Sequence, residues 1–76
     1  MNFVFTGTAE VDGIHYLRED LTRLANINGH TVQSQVRYDT HYLVCANDST
    51  EKAKKARRLG VATIPPETFI KMMFVK

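Results

Sequence analysis

The 76-residue chain is expected to fold as an α/β domain, with a mainly parallel sheet covered by helices on both faces. Three observations predict this. Phe3-Val4-Phe5, Tyr42-Leu43-Val44-Cys45 and Val61-Ala62-Thr63-Ile64 have the length and apolar content of buried strands. The stretches between them space their apolar residues by three and four, the helical period. The two kinds of segment alternate in the order β-α-β-β-α-β-α, with no repeat or linker, so residues 1–76 are expected to form a single domain.

Each element has a local reason. Residues 2–5 are short, apolar and aromatic-rich, as a buried strand requires. Ile14, Leu17, Leu21 and Leu24, with Ala25 beside them, predict a first helix over 13–27. Asp12 is its expected N-cap, and Asn28-Gly29, which tolerates left-handed backbone angles, its stop. Thr31-Val32-Gln33 reads as a weak strand, 34–40 as a polar turn and 42–45 as a strong strand. Asn47-Asp48-Ser49 breaks that strand, and Ser49 or Asp48 can cap a second helix over 50–59, ended by Gly60. Ala53, Ala56 and Leu59 supply its sheet-facing side. Residues 61–64 form the fourth strand. Pro65-Pro66-Glu67 opens a last helix with Phe69, Ile70, Met72 and Met73 on its apolar side.

The net charge of +2 says less than its distribution. Five of the ten Lys and Arg residues fall between Lys52 and Arg58, while Glu10, Asp12, Glu19 and Asp20 lie around the first helix. One basic element suits a partner that carries phosphate. No apolar stretch approaches the roughly 20 residues that span a bilayer, so no membrane partner is expected. Met1 leads into a strand without a basic leader, and the lone Cys45 allows no internal disulfide. The expected location is intracellular: cytoplasm or nucleoid, or the nucleus in a eukaryote.

Catalytic chemistry finds few candidates. His41 and Cys45 are four apart on a strand, about 13 Å at ~3.3 Å per residue, too far to share a zinc ion. His15 and His30 flank the first helix without partners nearby in sequence, and Cys45 reads as a core thiol. No Ser/His/Asp set or carboxylate pair stands out, so neither an enzyme nor a cofactor is expected. Phe3, Phe5 and Phe69 read as core, and Tyr16, Tyr38 and Tyr42 are too scattered for a base-stacking platform.

Two features carry binding chemistry. Thr6-Gly7-Thr8 ends a strand ahead of a helix: it is either a capped turn or an anion cradle of backbone N–H groups and hydroxyls. The run Glu51 to Arg58 is either a solvated face or a source of cations. Lys52 and Lys55 share one face, Lys54 and Arg58 another. Lys52 and Lys54 stand near the helix N-terminus, where the macrodipole disfavours cations.

Taken in order, Phe3-Val4-Phe5-Thr6-Gly7-Thr8, Asn28-Gly29-His30-Thr31-Val32, Thr40-His41-Tyr42-Leu43-Val44, Lys52-Ala53-Lys54-Lys55-Ala56-Arg57-Arg58-Leu59-Gly60-Val61, and Ile64 with Glu67-Thr68-Phe69 resemble a BRCT domain. The resemblance is nearest to the single modules of NAD-dependent DNA ligases and of the large subunit of replication factor C. It implies a four-stranded parallel sheet in the order 2-1-3-4, with one helix on one face and two on the other. It implies a non-catalytic module that binds phosphate: phosphoserine peptides in some tandem pairs, 5′-phosphorylated DNA ends in the replication factor C type. By position, the phosphate contacts would be Thr6, Gly7, Lys52 and Lys55, with Arg18 the nearest match to an arginine at the start of helix one.

Three departures accompany the match. The segment between Thr8 and Arg18 is longer than in the family, which would set Arg18 a turn inside the helix and away from the site. Asn28 replaces a glycine. Phe69 stands near the position of a tryptophan that many members carry and ligase-type members lack.

The expected function is therefore recognition of DNA through phosphate, at 5′-phosphorylated ends or nicks, in replication or repair. Lys54, Arg57 or Arg58 would follow the backbone further. The alternative is a protein-interaction adaptor or a dimerisation module serving a ligase, polymerase or clamp loader, as monomer or weak homodimer. That reading rests on the apolar stretch from Phe69 to Val75, which would expose Met72, Met73 or Phe74.

Overall fold

Phe3-Val4-Phe5 occupies the middle of the fold because both sides of this strand are covered: the three side chains are at most 1% exposed. The structure, a computed structural model, describes residues 1–6, 9–46 and 50–74. In chain order the elements are β1 (Asn2–Phe5), β2 (Ala9–Val11), β3 (Ile14–Tyr16), α1 (Arg18–Ile27), β4 (Thr31–Val32), β5 (Tyr42–Val44), α2 (Glu51–Leu59), β6 (Ala62–Ile64) and α3 (Pro66–Phe74). β1, β4, β5 and β6 form a parallel sheet in the order β4-β1-β5-β6, the expected 2-1-3-4 order once those four strands are counted alone. Phe3 is in register with Val32 on one side and Tyr42 on the other, and Tyr42 with Ala62 beyond.

Strand alternation divides the core in two. Phe3, Phe5 and Val44 point to one face, where they meet Leu21 and Ala25 of α1 and Phe69, Ile70 and Met73 of α3. The Phe69 ring stands edge-on to Phe3 and Phe5, with centroids 5.1 and 5.0 Å away. Val4 and Leu43 point to the other face and pack with Val36, Cys45, Val61 and the two α2 alanines, Ala53 and Ala56. Leu59, expected on that inner side, is instead 40% exposed. Steps of three residues fall about 60° short of a full turn each time, so a stripe from Ala53 through Ala56 has drifted off the sheet by Leu59.

The largest departure from expectation lies between residues 9 and 16. No helix starts at 13, and Asp12 caps nothing. β2 and β3 form an antiparallel hairpin that pairs Ala9 with Tyr16, Glu10 with His15 and Val11 with Ile14. Asp12 and Gly13 make its two-residue turn, both with positive φ (52° and 77°). That is the conformation an Asp-Gly turn favours, because its twist matches the strands. Ala9 and Val11 are buried with the α1 and α3 side chains, so the hairpin is anchored to the core. α1 then begins at Arg18. Its first turn is closed by Asp20 Oδ2, which accepts the Leu17 N–H at 2.9 Å.

The other boundaries move less. α1 stops at Asn28-Gly29, as expected. Thr50 caps α2, its hydroxyl oxygen accepting the Ala53 N–H at 3.2 Å; the caps expected at Asp48 or Ser49 lie outside the described residues. Within the turn at 34–40, Val36 is a core residue, and the buried Thr40 hydroxyl accepts the Arg37 N–H at 2.8 Å and donates to Gln33 Oε1. In α3, Met73 is buried and Phe74 is 65% exposed; Val75 lies outside the described residues. Among the described residues, no helix is long and apolar enough to cross a membrane.

Candidate nucleic-acid interface

Parallel strands carry their carboxyl ends to one edge of the sheet, and the helices that follow start there. Thr6 leaves β1 at this edge, half-buried, its N–H donating to Val44 O at 3.2 Å. Gly7, the second residue of the expected cradle, and Thr8 lie outside the described residues. α2 starts soon after β5 ends at the same edge, presenting the positive end of its macrodipole.

The structure sorts the basic residues of α2. Lys52, Lys55 and Arg58 line one groove of about 400 Å³ with Gln35, Val36 and Glu51. Arg58, grouped with Lys54 by spacing, thus shares the groove of the other two. Lys54 pairs with Glu51, Nζ to Oε1 at 3.7 Å. Lys52 is half-buried and donates to the Ser34 carbonyl at 3.4 Å. Burial lowers its pKa below the ordinary lysine value, and the positive charge of Arg18 lowers it further.

That second influence places Arg18 within electrostatic reach of Lys52. Arg18, expected a turn inside the first helix, is instead the first residue of α1, because residues after Thr8 are spent on β2 and β3. Like charges within reach of one another disfavour the protonated lysine, and an anion bound beside them would relieve that repulsion. Among the described residues, Arg18, Lys52, Lys55 and Arg58 form no salt bridge with a carboxylate, whereas Lys54 does.

The remaining polar candidates are occupied structurally. His15 Nδ1 lies 3.7 Å from Glu10 Oε1, a cross-strand partner that only the hairpin register supplies. His30 packs edge-on against Phe3 at 5.3 Å, and His41 Nδ1 accepts the Asn2 N–H at 2.8 Å. Gln35, which lines the groove, and Ser34, whose carbonyl accepts from Lys52, left no mark in the sequence pattern, because a polar turn has no periodicity that shows which of its groups meet a neighbouring helix.

Residues 2–73 match the family profile of the BRCA1 C Terminus (BRCT) domain. The chain belongs to the BRCT family. This BRCT domain is 32% identical over 73 residues to a DNA ligase of Trichlorobacter lovleyi, and 36% identical over 73 residues to one of Coprothermobacter proteolyticus. A DNA ligase of Thermoanaerobacter sp. (strain X514) is 35% identical over 71 residues. These alignments cover 96%, 96% and 93% of the chain, respectively, but only 10% of each ligase. The BRCT domain thus spans about a tenth of the relatives it matches. The name DNA ligase is that of those larger proteins.

Proposed function

We propose that this BRCT domain is a non-catalytic module that holds the phosphate of a DNA strand, preferentially at a 5′-phosphorylated end or nick, during replication or repair. The observation that carries the reading is the groove in which α2 sets Lys52, Lys55 and Arg58 together, with Lys52 half-buried and Arg18 close enough to lower its pKa. Thr6 leaves β1 at the same edge, where its hydroxyl supplies a donor. Lys55 and Arg58 continue the positive charge along the groove and follow the strand away from its end.

The test is an anisotropy titration with duplexes that differ only in a 5′ phosphate. Tighter binding of the phosphorylated duplex supports the reading, and equal affinities end the claim of end recognition. Binding should weaken with salt, with a log–log slope of about −0.9 for each phosphate neutralised on duplex DNA. Arg18→Ala and Lys55→Glu should each lower affinity for the phosphorylated duplex. A Lys55→Glu variant that binds as tightly as its parent removes Lys55 from the site.

A protein-interaction role has one observation of its own. Phe74, at the end of α3 and away from the cationic edge, is 65% exposed. If that face serves a protein partner or a second copy, Phe74→Ser should abolish the association and leave DNA binding intact, as light scattering and anisotropy would show.

A further inference from the structure

The cationic groove has a neighbour. Lys52, Lys55 and Arg58 line the groove from α2, and Gln35 and Val36 line it from the turn at 34–40. Gln35 also lines a second hollow, of about 340 Å³, together with Gln33, Ser34 and Arg37. The two hollows therefore meet at Gln35. A hydrogen bond joins them as well: Lys52 Nζ donates to the Ser34 carbonyl at 3.4 Å.

The turn is polar and exposed, yet it is fixed. Val36 in its middle is 1% exposed and packs with Ala53 and Ala56 of α2. At one end the Gln33 N–H donates to Phe3 O at 2.8 Å. At the other, the Thr40 N–H donates to Arg37 O at 3.1 Å, and the Thr40 hydroxyl accepts the Arg37 N–H at 2.8 Å. These bonds hold the backbone of Arg37 while the residue stays exposed. Donors held in place before binding lose less freedom on taking up a ligand.

The chemistry of the second hollow suits an oxyanion. Arg37 brings a guanidinium, whose fork of N–H groups matches two phosphate oxygens. Ser34 and Gln35 bring a hydroxyl and an amide, both used as donors to phosphate in DNA complexes. Among the described residues, no carboxylate lines this hollow and Arg37 forms no salt bridge. Asp39, the acid of the turn, accepts from the Gln33 amide, Nε2 to Oδ1 at 3.2 Å. Glu51, the acid of the α2 groove, is paired with Lys54.

We propose that this turn is a second phosphate subsite: Arg37, with Ser34 and Gln35, holds a further phosphate of the DNA strand that occupies the α2 groove. The inference rests on the phosphate-binding reading above and adds to it a second contact on the same strand.

The test titrates the domain with a 5′-phosphorylated duplex and, separately, with inorganic phosphate. Arg37→Gln removes the charge and leaves the backbone bonds to Thr40 in place, and a thermal melt confirms that the variant is folded. With one phosphate fewer neutralised, its log–log salt slope for the duplex should be smaller in magnitude by about 0.9. The affinity ratio of parent to variant should therefore shrink roughly 3.5-fold between 50 mM and 200 mM salt. Arg37→Lys restores the charge and should restore the slope. The NMR shifts that inorganic phosphate causes at Thr6 and Lys52 should be the same in parent and Arg37→Gln.

An Arg37→Gln variant with the affinity and slope of its parent overturns the subsite. So does a slope that Arg37→Lys fails to restore, because the loss then comes from the shape of the side chain and not its charge. Tighter binding of a phosphoserine peptide than of the duplex, with the same dependence on Arg37, overturns DNA as the occupant. Failure of end recognition has a different signature: the parent binds duplexes with and without the 5′ phosphate alike, and the change of slope at Arg37 persists. A parent that binds no duplex overturns both.

Discussion

Lys52 shows at the scale of one residue how binding and stability oppose each other. Its pKa is lowered by burial first and by the charge of Arg18 second. A lysine whose folded pKa lies below its unfolded value binds its proton less tightly when folded. It therefore costs stability wherever it is charged in both states. The cost is present below the folded pKa and is relieved as pH rises from there towards the ordinary value of 10.5. Lys52→Met keeps the aliphatic stem and removes the charge. It should leave thermal stability at neutral pH equal to or above that of the parent and weaken binding to a phosphorylated duplex at least severalfold. A variant that loses stability as well would mean that Lys52 serves the fold through its bond to the Ser34 carbonyl. Arg18→Ala should move the Lys52 pKa back up, as a side-chain NMR titration of the ammonium group would record, and so should added phosphate bound between the two cations.

At the scale of the element, two short-range signals compete over residues 9–17. Ile14, Leu17, Leu21 and Leu24 have helical spacing, yet Ile14 is in a strand and Leu17 precedes the helix. Periodicity counts apolar residues without weighing the turn between them, and Asp12-Gly13 decides the matter because both residues take up the left-handed region. Gly13 has φ of 77° and open space where a Cβ would stand, so Gly13→Ala adds backbone strain without a clash. It should cost about 1 kcal/mol, measured by urea denaturation, and loosen the hairpin beside the site. The start of α2 depends on a side chain. Thr50→Ala removes the hydroxyl that accepts the Ala53 N–H and should cost about 1 kcal/mol by the same measurement. Because this cap sets the helix end that carries Lys52, the same variant should also weaken phosphate binding.

The whole molecule depends on a sheet only four strands wide, and its larger core face centres on one ring. Phe69 is fully buried and meets both Phe3 and Phe5 edge-on. Phe69→Ala should cost about 3–5 kcal/mol. That is a large share of the ~5–15 kcal/mol that holds a typical domain together, so circular dichroism should show the variant largely unfolded near body temperature. Phe69→Leu, which keeps most of the volume, should stay folded with a lowered melting temperature.

The sequence by itself determined the elements whose residues act locally: the apolar runs of β1, β5 and β6, the glycines that end α1 and α2, and the proline-led start of α3. The order of these pieces also identified the BRCT fold and its strand order. Tertiary structure alone decided where the charges meet. Arg18 and Lys52 are 34 positions apart in the chain, and a sequence pattern holds no distance between them. That proximity depends on β1 and β5 being paired, on the helices starting at one sheet edge, and on the β2–β3 hairpin absorbing the residues that would have set Arg18 a turn inside α1. Which cations are left without a carboxylate is likewise a property of packing: Lys52 and Lys54 are two residues apart, and the sheet gives only one of them a place in the groove.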